Sequence, residues 1–223
     1  MATLLTINIV LLAQQQINTS VYSQLWFVDN GIVDRGDFLP ESMFLPVMVH
    51  LKTKPIELLV LPDRVQISLP SSGGMAFDDA LARAQKFIDK ASIGFKVVGV
   101  NVGYTFHDNG APGRYMQRAK ALFIGQNNPL YEEFNGQHAT AGITLRKPVD
   151  ENGHLQIDIR SGRAMHNGTP LYGNQEILTL NASQEYIVDS SEGVGQALQR
   201  IPSILDTITA LVDRFEAGLP GGV

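Results

Sequence analysis

Arg114 and Arg118 stand four residues apart in "HDNGAPGRYMQRAK", directly after an alternating strand pattern, with His107 and Asp108 just upstream. Two guanidiniums one helical turn apart, at the start of a helix whose free N–H groups already favour negative charge, have the chemistry of an anion clamp. A phosphate, or an acidic side chain of a partner, would be the guest. A nucleotide loop needs more. Its glycines let backbone N–H groups converge, and a Lys followed by Ser or Thr serves the phosphates and magnesium. Gly110 and Gly113 are present, but no such Lys pair follows, and Pro112 removes one donor. The three spaced glycines of a dinucleotide fingerprint are missing too. A standard nucleotide site is argued against. What remains is a weak ligand site at His107, Asp108, Arg114 and Arg118. The plainer alternative is a strand-to-helix turn with proline at the helix start and a solvated arginine pair.

Other chemistry is thinner still. His107, His138, His154 and His166 are scattered, and none lies three or four residues from another, so the helical ligand pairs of a metal centre are absent. There is no cysteine to add thiolate ligands, disulfides or a thiol nucleophile. No serine elbow is present. The carboxylate pairs Glu132-Glu133 and Asp150-Glu151 fall in segments that read as surface, whereas general acid–base catalysis wants burial. No catalytic residue, metal or cofactor is expected. The small basic clusters around Arg146 and from Arg160 to Arg163 sit in a chain of net charge −5, which argues against nucleic acid and anionic membranes as partners.

The elements that would position these residues can be read from periodicity. Thr3 to Ala13 is apolar and β-branched, a first strand. "QLWFVDNGIVDRGDFLP" reads as a short strand, a turn at Asn30-Gly31 and a second short stretch. "MFLPVMVHLKTKP" is apolar but broken by Pro46, an edge strand or irregular cover. "PIELLVLPDRVQISLP" is a hairpin turning at Pro62-Asp63. In it Val65, Ile67 and Leu69 alternate with polar neighbours, so one face is buried. "MAFDDALARAQKFIDKA" is a helix with Phe77, Leu81, Ala84 and Ile88 on one face, closed by Gly94. In the next strand Val98, Val100, Val102, Tyr104 and Phe106 point one way, and Gly99, Asn101 and Gly103 the other. That small face is expected to receive a packed helix, the long C-terminal one being available; the alternative is the floor of a ligand groove. A helix over about 113–123 follows, then strands over 140–146, 154–160 and 176–180. A final helix opens on a capping box of Asp189 and Glu192 and is kinked or restarted at Pro202.

The expected fold is α+β: a mostly antiparallel sheet of hairpin-connected strands, packed by two shorter helices and a long, Pro-interrupted C-terminal helix. The 223 residues suit a single domain. A weak structural duplication, roughly 1–110 and 111–223, is compatible with two stretches that each place hairpin strands beside a helix.

Charge patterning carries the functional expectation. Charged residues are 17% of the chain, against roughly 25% for an ordinary soluble domain. Met1 to Val28 contains none. Without a basic flank this stretch does not resemble a secretory signal, and its apolar run falls short of a membrane span. It is either a buried strand with a polar linker or an uncharged arm that pairs with a neighbour's sheet edge. These features favour a non-enzymatic subunit that self-associates or docks in a larger cytoplasmic complex, with Leu4, Ile7, Ile9, Leu11, Trp26 and Phe27 as the contact surface. A small-anion or phosphorylated-ligand module near Arg114 is the alternative, and an enzyme of unknown type the third.

Overall fold

In the computed structural model, residues 2–71, 75–107, 114–125, 127–134, 142–162, 165–166, 169–170 and 177–219 are described. The first part of the chain runs β1 (Ala2–Ala13), α1 (Gln24–Asp29), β2 (Met43–Leu45), β3 (Met48–Lys52), β4 (Glu57–Val60), β5 (Arg64–Leu69) and α2 (Met75–Ala91). It continues with β6 (Phe95–Phe106), α3 (Arg114–Ile124), α4 (Pro129–Phe134), β7 (Gly142–Asp150), β8 (Gly153–Gly162), β9 (Met165–His166) and β10 (Thr169–Pro170). β11 (Ile177–Ile187), α5 (Ser191–Gln199) and α6 (Ile201–Gly218) close it. Nine strands form one sheet in the order β2-β3-β4-β5-β1-β6-β11-β8-β7, with neighbours antiparallel throughout. β9 and β10 make a small separate hairpin.

The two sides of the sheet have related but unequal element orders. β1 is followed by a helix, a four-strand meander (β2, β3, β4, β5) and α2. β6 is followed by helices, a three-strand series (β7, β8, β11) and α5. The two runs meet back to back at the β1–β6 pair.

Alternation along the strands sorts side chains onto two faces. One face carries Ile7, Ile9 and Leu11 of β1, Val98, Val100 and Val102 of β6, and Val65 and Ile67 of β5, all buried in a single core. The helices lie on this face. α2 brings Phe77, Ala80, Ala84 and Phe87 to it, and α6 brings Ile201, Ile204, Ile208 and Val212, each set at helical spacing. Tyr104 meets Thr209 of α6 at 2.9 Å, and Phe106 meets Phe215 edge-on at 5.5 Å.

Several expectations change here. The C-terminal helix covers the bulky face of β6, not the face with Gly99, Asn101 and Gly103. A Cβ on Gly103 would stand 2.7 Å from Thr6 Oγ1 and 3.4 Å from Asn181 Oδ1. This glycine accommodates side chains of the flanking strands rather than a helix. β1 is not an arm. It is hydrogen-bonded along both edges, to β5 and to β6, so no edge is left for a neighbour. Its lack of charge follows from that central place. Ile7, Ile9, Leu11 and Phe27 are at most 3% exposed, inside the chain's own core. Leu4 and Trp26 are partly buried and pack on that core.

The Trp26 segment is α1, not half of a hairpin. Ser23 caps it by accepting the Trp26 N–H at 3.2 Å. Asn30 and Gly31 end it: the Asn30 side chain donates to Trp26 O at 2.9 Å, and Gly31 takes φ +63. The same dipeptide that suits a hairpin suits a helix stop, because both need a left-handed residue. After α2 the left-handed residue is Ser92, at φ 53, rather than Gly94. The α5 cap is Ser190, one residue later than the expected Asp189, its Oγ accepting the Gly193 N–H at 3.2 Å. Pro202 occupies the first turn of α6, and the helix divides at Arg200.

Candidate functional site

At the start of α3 the two arginines are already occupied. Arg118 lies over the Tyr115 ring at 5.9 Å, and the Tyr115 hydroxyl donates to Glu216 Oε1 at 2.6 Å. Glu216 Oε2 accepts the Ala2 N–H at 3.1 Å, tying α6 to the beginning of β1. His107 and Arg114 also have interaction partners. Asp108, Gly110, Pro112 and Gly113 lie outside the described residues. The cluster therefore works as a clasp between α3, α6 and β1. Partial burial alone would raise the Glu216 carboxyl, but the Tyr115 and Ala2 donors outweigh it and hold its pKa below the usual range. A depressed pKa contributes stability that is present above the ordinary glutamate value of about 4.3 and is lost as pH falls through the folded value. Glu216→Gln should therefore destabilise at pH 7 by about 1 kcal/mol or less, since the group is partly exposed. Chemical denaturation at pH 3 should show the two proteins converging.

Among the described residues no helix packs on the second face of the sheet, but only part of that face is open: Thr105 and Ile177, at the end away from Ile187, are 0% and 2% exposed. Register rows show what it presents. One row runs Leu45, Met48, Leu61, Arg64, Leu12, Val97 and Ile187 across β2, β3, the β4–β5 turn, β5, β1, β6 and β11. The next holds Met43, His50, Leu59, Gln66, Val10 and Gly99. Together they form a largely apolar band at one end of the face, interrupted by His50, Gln66 and Arg64, the last pairing with Asp63 at 3.4 Å. None of its large apolar members belongs to the core cluster. The ends are the most exposed, Leu45 at 47% and Ile187 at 70%. Beyond the band the face turns polar, with Asn8, Ser68, Asn101, Ser183, Gln156 and Asp158 in register.

A third cluster sits on the helix-covered side. Gln184 and Tyr186 alternate with outward residues of β11, and both are buried, at 4% and 6% exposure. The Gln184 amide hydrogen-bonds the Tyr186 hydroxyl. Arg200, at the α5–α6 break, stacks on the Tyr186 ring at 5.5 Å and donates to Asp150 Oδ2 at 3.0 Å. Its pKa is raised, first by hydrogen bonding to Tyr186 and then to Asp150. Gly153 makes room for the ring. Two cavities of about 510 and 260 Å³ share Tyr186 and Arg200 in their walls. Sequence reasoning missed this cluster because the polar run "NASQE" hid the second half of β11. Continuing the alternation of Leu178 and Leu180 through Ala182 places Gln184 and Tyr186 on the buried face.

Among the described residues no three His, Asp or Glu side chains converge. His154 stands 3.3 Å from Glu185 and 3.0 Å from Arg146 on the open face. His138 lies outside the described residues, as does the side chain of His166. No described helix is long and apolar enough to cross a membrane. No protein-family model matches the chain, and no curated protein matches it.

Proposed function

We propose that this chain is a non-enzymatic assembly subunit of a cytoplasmic complex, and that it self-associates through the open face of its sheet. The apolar band carries this reading. An antiparallel sheet with one solvated face normally presents polar side chains there, and contiguous exposed apolar patches mark contact surfaces.

Dimensions support a second copy as the occupant. Eight strand spacings of about 4.8 Å make the whole face roughly 38 Å wide, and about 20 Å of strand length brings it, polar rows included, to roughly 750 Å², of which the apolar band crosses seven of the nine strands. A standard interface buries about 800 Å² per partner. Stacked sheets are an established way to bury such faces.

Size-exclusion chromatography with light scattering tests the proposal. At tens of micromolar the expected mass is twice 24.4 kDa. The double variant Leu45→Lys, Ile187→Lys, changed only at exposed positions, should elute as a folded monomer. A monomeric wild type would remove self-association and leave a different protein as the partner.

A further inference from the structure

We propose that Met43 and Met48 form a reversible oxidation site that regulates self-association. The proposal rests on the reading of the apolar band as a contact surface, and it gives that surface a control. Met43 stands on the edge strand β2 and Met48 on β3. In the register Leu45 lies opposite Met48 and His50 opposite Met43, so both thioethers neighbour Leu45 at the outer end of the band. Phe44, between Met43 and Leu45, points to the other face and meets Phe27 and Phe38, each at 6.2 Å. Chemistry at the two sulfurs therefore leaves the core packing alone.

Accessibility singles these sulfurs out. Met43 is 45% exposed and Met48 is partly exposed. Among the described methionine side chains the remaining one, Met116, is 9% exposed and belongs to the core. An oxidant must touch the sulfur to react, so hydrogen peroxide reaches the band before the core. The thioether sulfur attacks one peroxide oxygen and gives up two electrons. An S–O bond forms and the O–O bond breaks. The departing hydroxide takes the proton of the transferred hydroxyl and leaves as water. Two thiols reverse the step through a methionine sulfoxide reductase, becoming a disulfide and removing the oxygen as water. The product alters what the contact depends on. A thioether is apolar and adaptable, and packs well on leucine and valine. A sulfoxide is polar, and in a dry contact its oxygen loses the water that satisfied it. The polar side chain opposite Met43, His50, is already held through Nε2 by Glu57 at 2.7 Å. Closing the contact covers both sulfurs, so oxidation acts on the separated chain and then holds it separate.

The test treats the full chain with hydrogen peroxide, removes the excess with catalase, and reads peptide masses and light scattering over a dilution series. Met43 and Met48 should each gain one oxygen before Met116 does. The midpoint concentration of self-association should rise at least ~10-fold, the effect of one buried polar group left unpaired, with an unchanged melting curve. Enzymatic reduction of the sulfoxides should restore the starting midpoint. The double variant Met43→Leu, Met48→Leu keeps the apolar volume and should associate like the wild type before and after peroxide. Wild type carrying both sulfoxides at its original midpoint would overturn the proposal. Equal peroxide sensitivity in the double variant, or sulfurs that react no faster than that of Met116, would overturn it as well. A wild type already monomeric before peroxide overturns the self-association reading itself, and this control falls with it.

Discussion

Phe87→Ala is expected to lower the stability of the fold by about 3–5 kcal/mol, a large part of the 5–15 kcal/mol typical of a domain. Phe87 is fully buried on α2. Its ring stacks on Phe27 at 6.0 Å and meets Tyr22 at 5.8 Å and Trp26 at 6.0 Å. These aromatic contacts hold α1 against the sheet. A six-residue helix does not persist alone in water, since nucleation costs more than so few hydrogen bonds return. Truncating Phe87 therefore removes the floor of a whole segment as well as one side chain. Urea titration followed by the fluorescence of Trp26, the single tryptophan, reads both effects. A fall in the melting temperature of roughly 10 °C is expected. A loss below about 1 kcal/mol, the ordinary cost of a point change, would mean that Phe87 does not organise the cluster.

Gly153→Val is expected to be the most damaging change at the β7–β8 turn. A Cβ there would lie 2.9 and 3.0 Å from Tyr186 Cδ1 and Cε1, and 3.1 Å from Asp150 Oδ1. The ring has little room to yield, because Arg200 lies over it and Gln184 holds its hydroxyl. Overpacking of this kind costs about 1–3 kcal/mol, and the branched side chain places valine at the upper end. The cause can be isolated with a double-mutant cycle. In a Tyr186→Ala background the Gly153→Val penalty should largely disappear, a coupling of roughly 1–2 kcal/mol between touching residues. An unchanged penalty would place the strain in the backbone of the turn instead.

Where periodicity was strong, the sequence was enough. The alternation of Val65, Ile67 and Leu69 and of Val98 to Phe106 marks strands, and both are strands, though β6 also buries Gly99, Gly103 and Thr105 on its second face. The 17 residues of α2 were legible from Phe77, Leu81, Ala84 and Ile88. Pro202 announced the break before α6. Weak or mixed patterns failed. Ser23 and Asn30-Gly31 suit a helix as well as a hairpin, and only the packing of Phe27 against Phe87 and Phe44 selects α1. β11 runs on to Ile187 because β6 and β8 pair with it on both sides, support that no local polar run reveals.

The candidate sites divide the same way. Arg114 and Arg118 stood out by spacing, yet Tyr115 and Glu216, beside them in space, lie 101 residues apart. Gln184, Tyr186 and Arg200 had no motif at all. From its sequence alone this chain is an antiparallel α+β protein with a divided C-terminal helix, because strand alternation, helical spacing and proline geometry are local and act within a few residues. Tertiary structure decided that β1 is central, that the helices cover the bulky face of β6, and that an apolar band is left open on the other. Those outcomes depend on which of several apolar surfaces find one another across the whole sheet, a competition in burial that no short stretch of sequence contains.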